Sequence, residues 1–153
     1  MIRRLTQNDL PRIKEFWINY WGGETMITRG RTIQYHEVEG FVFGDWLGLI
    51  TFLIQDKECE VTSFNSLEEG KGIGTKLIDE VVREAKERKC QRLFLITTND
   101  NLNALGFYQK RGFELVKINR GAINESRKLK PSIPLIGMNG IPLRDEIELE
   151  MKI

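Results

Sequence analysis

Three glycines punctuate the stretch Glu68-Glu69-Gly70-Lys71-Gly72-Ile73-Gly74-Thr75-Lys76-Leu77-Ile78. They stand directly before Leu77, Ile78, Val81, Val82 and Ala85, whose spacing predicts a helix reaching about Arg88. Glycine costs roughly 0.5–1 kcal/mol relative to alanine inside regular structure, so three of them at the mouth of a helix need a physical reason. One reason is a sharp turn. The other is an anion held by bare backbone N–H groups at a helix N-terminus. Both demand a strand-loop-helix unit at this point, and such a unit needs a sheet to dock on.

The rest of the chain supplies strands for that sheet. Residues 2–5 read as a first strand. Thr6 to Asp9 offer capping side chains and Pro11 suits a first helical turn. Leu10, Ile13, Phe16, Trp17 and Tyr20 then fall on one helical face, which the paired Gly22-Gly23 ends. Residues 25–40 give no clear pattern. Phe41-Val42-Phe43, a Gly44-Asp45 turn and Trp46 to Ile54 predict a hairpin, and Glu58 to Phe64 alternates as a strand with two different faces. Beyond the glycine loop and its helix, Leu93-Phe94-Leu95-Ile96 suits a buried strand. Asn99 to Asn101 cap a second helix closed at Gly112. Phe113 to Ile118 reads as a strand, 120–130 as a helix, and Arg144 to Ile153 as a last strand. Pro131 to Pro142 cannot be one element, because prolines interrupt it. The expected fold is a single α+β domain over residues 1–153, with a mixed sheet between helical layers.

Composition narrows the function. The 153 residues carry a net charge of +1, which predicts no nucleic-acid or membrane partner. The N-terminus lacks the apolar core of a signal peptide, and no run reaches the ~20 apolar residues of a membrane span. Cys59 and Cys90, the only cysteines, make neither a disulfide framework nor a metal site and point to a reducing, cytoplasmic setting.

Three anion-loop patterns can be tested against the glycines. A Walker A loop needs Gly, four residues and Gly-Lys-Ser/Thr, and that spacing is missing. In a Gly-x-Gly-x-x-Gly fingerprint the third position falls on Thr75 or Leu77. The third pattern fits. Glu69-Gly70-Lys71-Gly72-Ile73-Gly74 resembles the Gln/Arg-x-x-Gly-x-Gly/Ala loop of the GNAT superfamily of N-acetyltransferases. Asn101-Leu102-Asn103-Ala104-Leu105-Gly106-Phe107-Tyr108-Gln109-Lys110-Arg111-Gly112-Phe113 resembles that family's Asn-x-x-Ala-x-x-Phe-Tyr-x-Lys-x-Gly-Phe at every fixed position. The likeness runs from Glu58 to Phe113. Its one departure is Glu69, a carboxylate where the family has Gln or Arg; next to a pyrophosphate it repels unless it faces solvent.

The resemblance implies a mostly antiparallel sheet with splayed central strands and acetyl-CoA as acyl donor. It implies that Gly70, Lys71, Gly72, Ile73, Gly74 and Thr75 hold the pyrophosphate, and that Phe64, Asn65 and Ser66 lie beside pantetheine. Asn101 is expected to contact the cofactor, to cap its helix, or both. Tyr108 corresponds to the family tyrosine near the thioester sulfur, where a phenol protonated at neutral pH can donate to the leaving thiolate; otherwise it is a core aromatic beside Phe107. Many members carry a basic glutamate on the strand before the loop. Glu58 and Glu60 share a face there, and Glu60 is preferred as the deeper; Glu58 or water are the alternatives, and a solvated strand face is the non-catalytic reading. No metal is expected. His36, the only histidine, is expected at the surface.

The implied reaction is direct acetyl transfer to a primary amine of a small molecule or peptide. An acyl-CoA sensor without turnover and transfer of a longer acyl group are the alternatives. Trp21, Glu24, Arg29, Arg31, Arg120 and Arg127 lie in segments that can line the acceptor site, and the arginines suit a carboxylate or phosphate on it. Asp145, Glu146, Glu148 and Glu150 alternate as a solvated strand face does. A homodimer is left open.

Overall fold

A computed structural model describes residues 1–153. Its centre is a seven-stranded sheet formed by β1 (Ile2–Arg4), β4 (Glu39–Phe43), β5 (Gly48–Gln55), β6 (Glu58–Ser66), β7 (Arg92–Thr98), β8 (Glu114–Asn119) and β9 (Glu146–Lys152). The strand order is β1-β4-β5-β6-β7-β9-β8, with β6 and β7 the parallel neighbours and every other pair antiparallel. Of residues 25–40, unreadable from sequence, 25–34 form a separate hairpin of β2 (Thr25–Thr28) and β3 (Arg31–Gln34), and Glu39 and Gly40 open β4.

Two layers cover the sheet. On one face lie α2 (Ile73–Glu87) and α3 (Leu102–Lys110), where Leu77, Ile78, Val81, Ala85 and Tyr108 pack with Ile50, Phe52, Val61, Leu93 and Leu149. On the other lies α1 (Leu10–Trp21), whose Ile13, Phe16 and Trp17 pack with Leu49, Met26 and Ile33. A fourth helix, α4 (Ala122–Leu129), sits beside β2. This is the expected layered α+β domain. The α1 stripe stops short of expectation: Tyr20 stacks on Phe16 at 4.6 Å between ring centroids yet is half exposed, and Gly22 at φ +78 ends the helix two residues later. No helix is long and apolar enough to cross a membrane.

The start of α1 is fixed to β1 by charge. Arg3 donates to both Asp9 oxygens at 2.9 Å, and the Thr6 N–H donates to Asp9 at 2.8 Å. The Arg3 guanidinium holds the Asp9 carboxyl down at about 2. Because the folded value lies below the ordinary one near 3.9, the pair's contribution is complete above that value and is lost as pH falls toward 2. Asp9→Asn should therefore be less stable than the wild type at pH 7, with the deficit shrinking as urea unfolding is repeated toward pH 2. A deficit independent of pH would assign the loss to packing.

Candidate functional site

The site begins with a bulge. Along β6, Thr51 faces Ser63 and Phe52 faces Val61, so Thr62 has no partner on β5. The extra residue shifts the alternation: Val61 packs in the α2 core, yet Ser63 accepts from Trp17 Nε1 of α1 at 3.1 Å. A bulge bends its strand. On the other edge of β6, pairing with β7 stops at Val61–Leu95. Beyond it β6 runs on to Ser66 along β5, and β7 runs on to Thr98 along β9. The strands fork, leaving the facing edges of Ser63–Ser66 and Ile96–Thr98 without ladder partners. The splay expected from sequence is present, and Thr62 is where it starts.

The glycine loop closes one side of the fork. Gly70 and Gly72 have φ of +73 and +72, and nothing lies within 4 Å of where their Cβ would be. Gly72 is the N-cap of α2 and no side chain caps that end. The first intrahelical bond is Lys76 N–H to Gly72 O, so the N–H groups of Ile73, Gly74 and Thr75 point out of the helix unclaimed. Lys71 and Glu69 are exposed; the carboxylate that departs from the family pattern faces solvent. Gly74 has a different reason. A Cβ there would stand 2.8 Å from Phe64 Cζ and 3.1 Å from Phe107 Cζ. Its bareness lets α2 sit against two rings.

Sequence reasoning missed Arg111, which occupies a variable position of the second motif. Its Nε donates to Thr75 Oγ1 at 2.9 Å, its Nη1 donates to Phe107 O at 2.9 Å, and its guanidinium lies 3.5 Å from the Phe107 ring centroid. A fixed cation thus stands at the open N-terminus of α2. The available signal was its spacing of four from Phe107 on one helical side.

Helix α3 brings the second motif to the fork. Asn101 Oδ1 accepts from Ala104 N at 3.2 Å, so the side chain is an N-cap. Tyr108 is 7% exposed and ringed by Phe64, Phe107 and Phe113 at 5.4–6.1 Å between centroids. Burial alone pushes its phenol up, with no protein hydrogen bond contributing. It is a protonated donor whose hydroxyl no side chain engages.

The opposite face of the fork is built from charge. Glu60, one residue before the fork, is buried; it accepts from Thr28 Oγ1 at 2.7 Å and from Arg31, while Arg29 stands 3.9 Å away. The solvated reading of Glu60 is therefore excluded. The cavity beside it measures about 20 Å³, room for about one water. Glu58 pairs with Arg92 at 3.2 Å. The tail acids need correction too: Glu146 and Glu148 are buried, not a solvated face. Glu146 accepts from Arg29 N at 3.3 Å, Arg92 donates to Glu148 and Glu150 at 2.9 Å each, and burial raises the Glu146 carboxyl. Of the arginines expected to meet an acceptor, Arg29 and Arg31 face Glu60. Arg127 donates to the carbonyls of Ile133, Pro134 and Leu143, which shapes the proline-rich segment. Arg120 stays exposed and His36 lies at the surface. Trp21 Nε1 donates to Asn65 Oδ1 at 2.9 Å, so Asn65 turns toward α1 while Phe64 turns toward α2.

A family model described as Acetyltransferase (GNAT) family matches residues 12–113. The chain belongs to this family. An uncharacterized Bacillus subtilis protein, YdhI, is 42% identical, covering 88% of this chain and 87% of that one. Another, YxbD, is 38% identical over 90% and 89%. Among solved structures, an IAA acetyltransferase from Bacillus cereus superposes with a TM-score of 0.80 at 26% identity, covering 100% and 99% of the two chains. A GNAT acetyltransferase from Elizabethkingia anophelis with acetyl-CoA bound gives 0.72 at 22% identity, covering 100% and 97%.

The Gly74 contact yields a paired test. Gly74→Val should destabilise the fold by about 1–3 kcal/mol through overpacking, read by urea unfolding. Adding Phe64→Leu should recover part of that loss, since it removes the nearer ring. Additive losses would show that Gly74 is bare for another reason.

Proposed function

We propose that the protein moves an acetyl group from acetyl-CoA to a primary amine of a small molecule or peptide. The observation that carries this reading is the uncapped N-terminus of α2, with Gly70 and Gly72 bare beside it, at the end of a forked strand pair. Unclaimed N–H groups and the positive end of a helix dipole suit a pyrophosphate. The free edge of β6 offers backbone donors and acceptors to the amide-bearing arm of pantetheine. CoA or acetyl-CoA is bound in related folds, which supports the same donor here. The donor supplies a thioester: the amine nitrogen bonds to its carbonyl carbon, and the bond from that carbon to sulfur breaks.

In this reading Gly70, Lys71, Gly72, Ile73, Gly74 and Thr75 bind the phosphates, with Arg111 adding charge. Phe64, Asn65 and Ser66 line the arm, and Asn101 fixes the start of α3 at the fork. Tyr108 keeps its proton and hydrogen-bonds the sulfur as negative charge develops there. Glu60 is the carboxylate on the acceptor side. Its oxygens already accept from Thr28 and Arg31, so it handles the amine proton through water in the small cavity beside it, and it also anchors the β2–β3 hairpin.

Calorimetric titration with acetyl-CoA tests the donor. Gly72→Asp meets no neighbouring atom and aspartate is among the residues that visit positive φ, at a strain of about 1–2 kcal/mol, so it should fold with reduced stability and lose CoA binding by placing a carboxylate among the N–H groups. Unchanged affinity would make the glycines a turn only, and failure of the wild type to bind would overturn the proposal.

Thiol release with an amine panel tests the chemistry. Tyr108→Phe should keep CoA affinity and lower kcat by around 10²-fold. Glu60→Gln should lower kcat/KM most at low pH, where free amine is scarce. A flat pH profile with reduced stability would leave Glu60 as an anchor alone. Binding without turnover for any amine would favour a sensor.

A further inference from the structure

Two residues that read as helix caps have another task. Asn99 Oδ1 accepts from Arg144 N at 3.1 Å and Asp145 N at 2.9 Å, and its Nδ2 donates to Pro142 O at 2.8 Å. Asp100 is buried; it accepts from Met138 N at 2.8 Å and from Thr98 Oγ1. Gly137 has φ −99, outside the left-handed region, so its conformation does not require glycine. Its closeness does: a Cβ there would overlap the Asp100 carboxylate. Around this point the chain makes a small turn of its own, with Gly137 N donating to Ile141 O, Leu143 N donating to Leu135 O, and Ile136 bridging Pro142. The turn is thus docked on Asp100, two residues beyond the free edge of β7.

The other end of the same segment reaches the opposite prong of the fork. Lys130 Nζ donates to Trp21 O at 2.8 Å and Thr25 O at 2.7 Å, and the Trp21 side chain bonds Asn65 on the free edge of β6. Between these anchors Arg127 holds the carbonyls of Ile133, Pro134 and Leu143. Residues 130–143 therefore cross from one prong to the other as a fastened strap. The strap is 71% exposed at Leu135, 58% at Ile136 and 50% at Met138. The carboxylates on this side are already taken, Glu60 by Thr28 and Arg31, Glu148 and Glu150 by Arg92. They leave no free negative charge to select a second ammonium group.

On the acetyl-transfer reading above, on which this inference rests, we propose that the strap is the wall against which the acceptor lies, and that the acceptor is a primary amine carrying an apolar group. Such a group leaves water as it covers Leu135 and Met138. A charged or hydroxylated one would give up water there without a partner. Asp100 is a positioning residue: it meets no reacting atom and sets where Met138 stands.

Amino-acid amides of similar amine basicity test the proposal. In the thiol-release assay, kcat/KM for leucinamide and phenylalaninamide should exceed that for glycinamide and serinamide by about tenfold or more. Titration of the same amides into the CoA-saturated protein should give the same order of affinity, with or without turnover. Leu135→Ser with Met138→Ser should bring the four amides toward equality, mainly through a higher KM for the apolar pair. Gly137→Ala, which lifts the turn from Asp100, should do the same, and acetyl-CoA affinity and the thermal midpoint should hold in the double serine variant. A protein that binds no acetyl-CoA would overturn the reading on which the proposal rests. One that binds it and takes or binds glycinamide and serinamide as well as leucinamide would overturn the proposal alone. A preference for apolar amides that survives both variants would place the wall elsewhere and overturn it equally.

Discussion

The unpaired residue Thr62 sets the geometry on which the site depends. One extra residue in β6 bends the strand and ends its pairing with β7 at Val61. Without it, β6 and β7 would continue as an ordinary parallel ladder and their backbone groups would satisfy one another. With it, a wedge of unpaired backbone opens inside an otherwise closed sheet. The bulge also decides what each face of the wedge carries. It turns Ser63 and Asn65 toward α1 and Phe64 toward α2. The polar acceptor side and the ring-lined side around Tyr108 both follow from that shift.

The three glycines divide their work. Gly70 and Gly72 have positive φ and open space around them, so they serve backbone conformation and leave N–H groups bare. Gly74 serves close packing against Phe64 and Phe107. Arg111 joins the two motifs physically: it lies over Phe107 and bonds Thr75, so the end of α3 and the start of α2 are held together at the place where an anion would sit.

On the opposite face, carboxylates are held by arginines. Glu60, Glu148 and Glu150 meet Arg31 and Arg92, and the tip of the β2–β3 hairpin reaches Glu60 and Glu146. Breaking one partner of such a buried group leaves its charge uncompensated, at several kcal/mol. These contacts therefore keep the hairpin seated over the fork.

Local signals in the sequence determined much of this protein. Hydrophobic spacing located α1, α2, α3 and the strands of the sheet. Two motifs gave the family, and with it the loop and Tyr108. These are properties of neighbouring residues, set by backbone conformation and by which side of an element a residue occupies. Other features arose only in the tertiary structure. Glu146 and Glu148 alternate as surface residues do, but β9 lies between β7 and β8 under the hairpin, so strand order buried them. The β2–β3 hairpin gave no pattern because it is held by charges on distant elements, Glu60 on β6 and Glu146 on β9. Arg127 read as a substrate cation until the carbonyls of a folded proline-rich segment claimed it. Burial and pairing of charge depend on which distant elements meet, and that is decided by the packing of the whole chain.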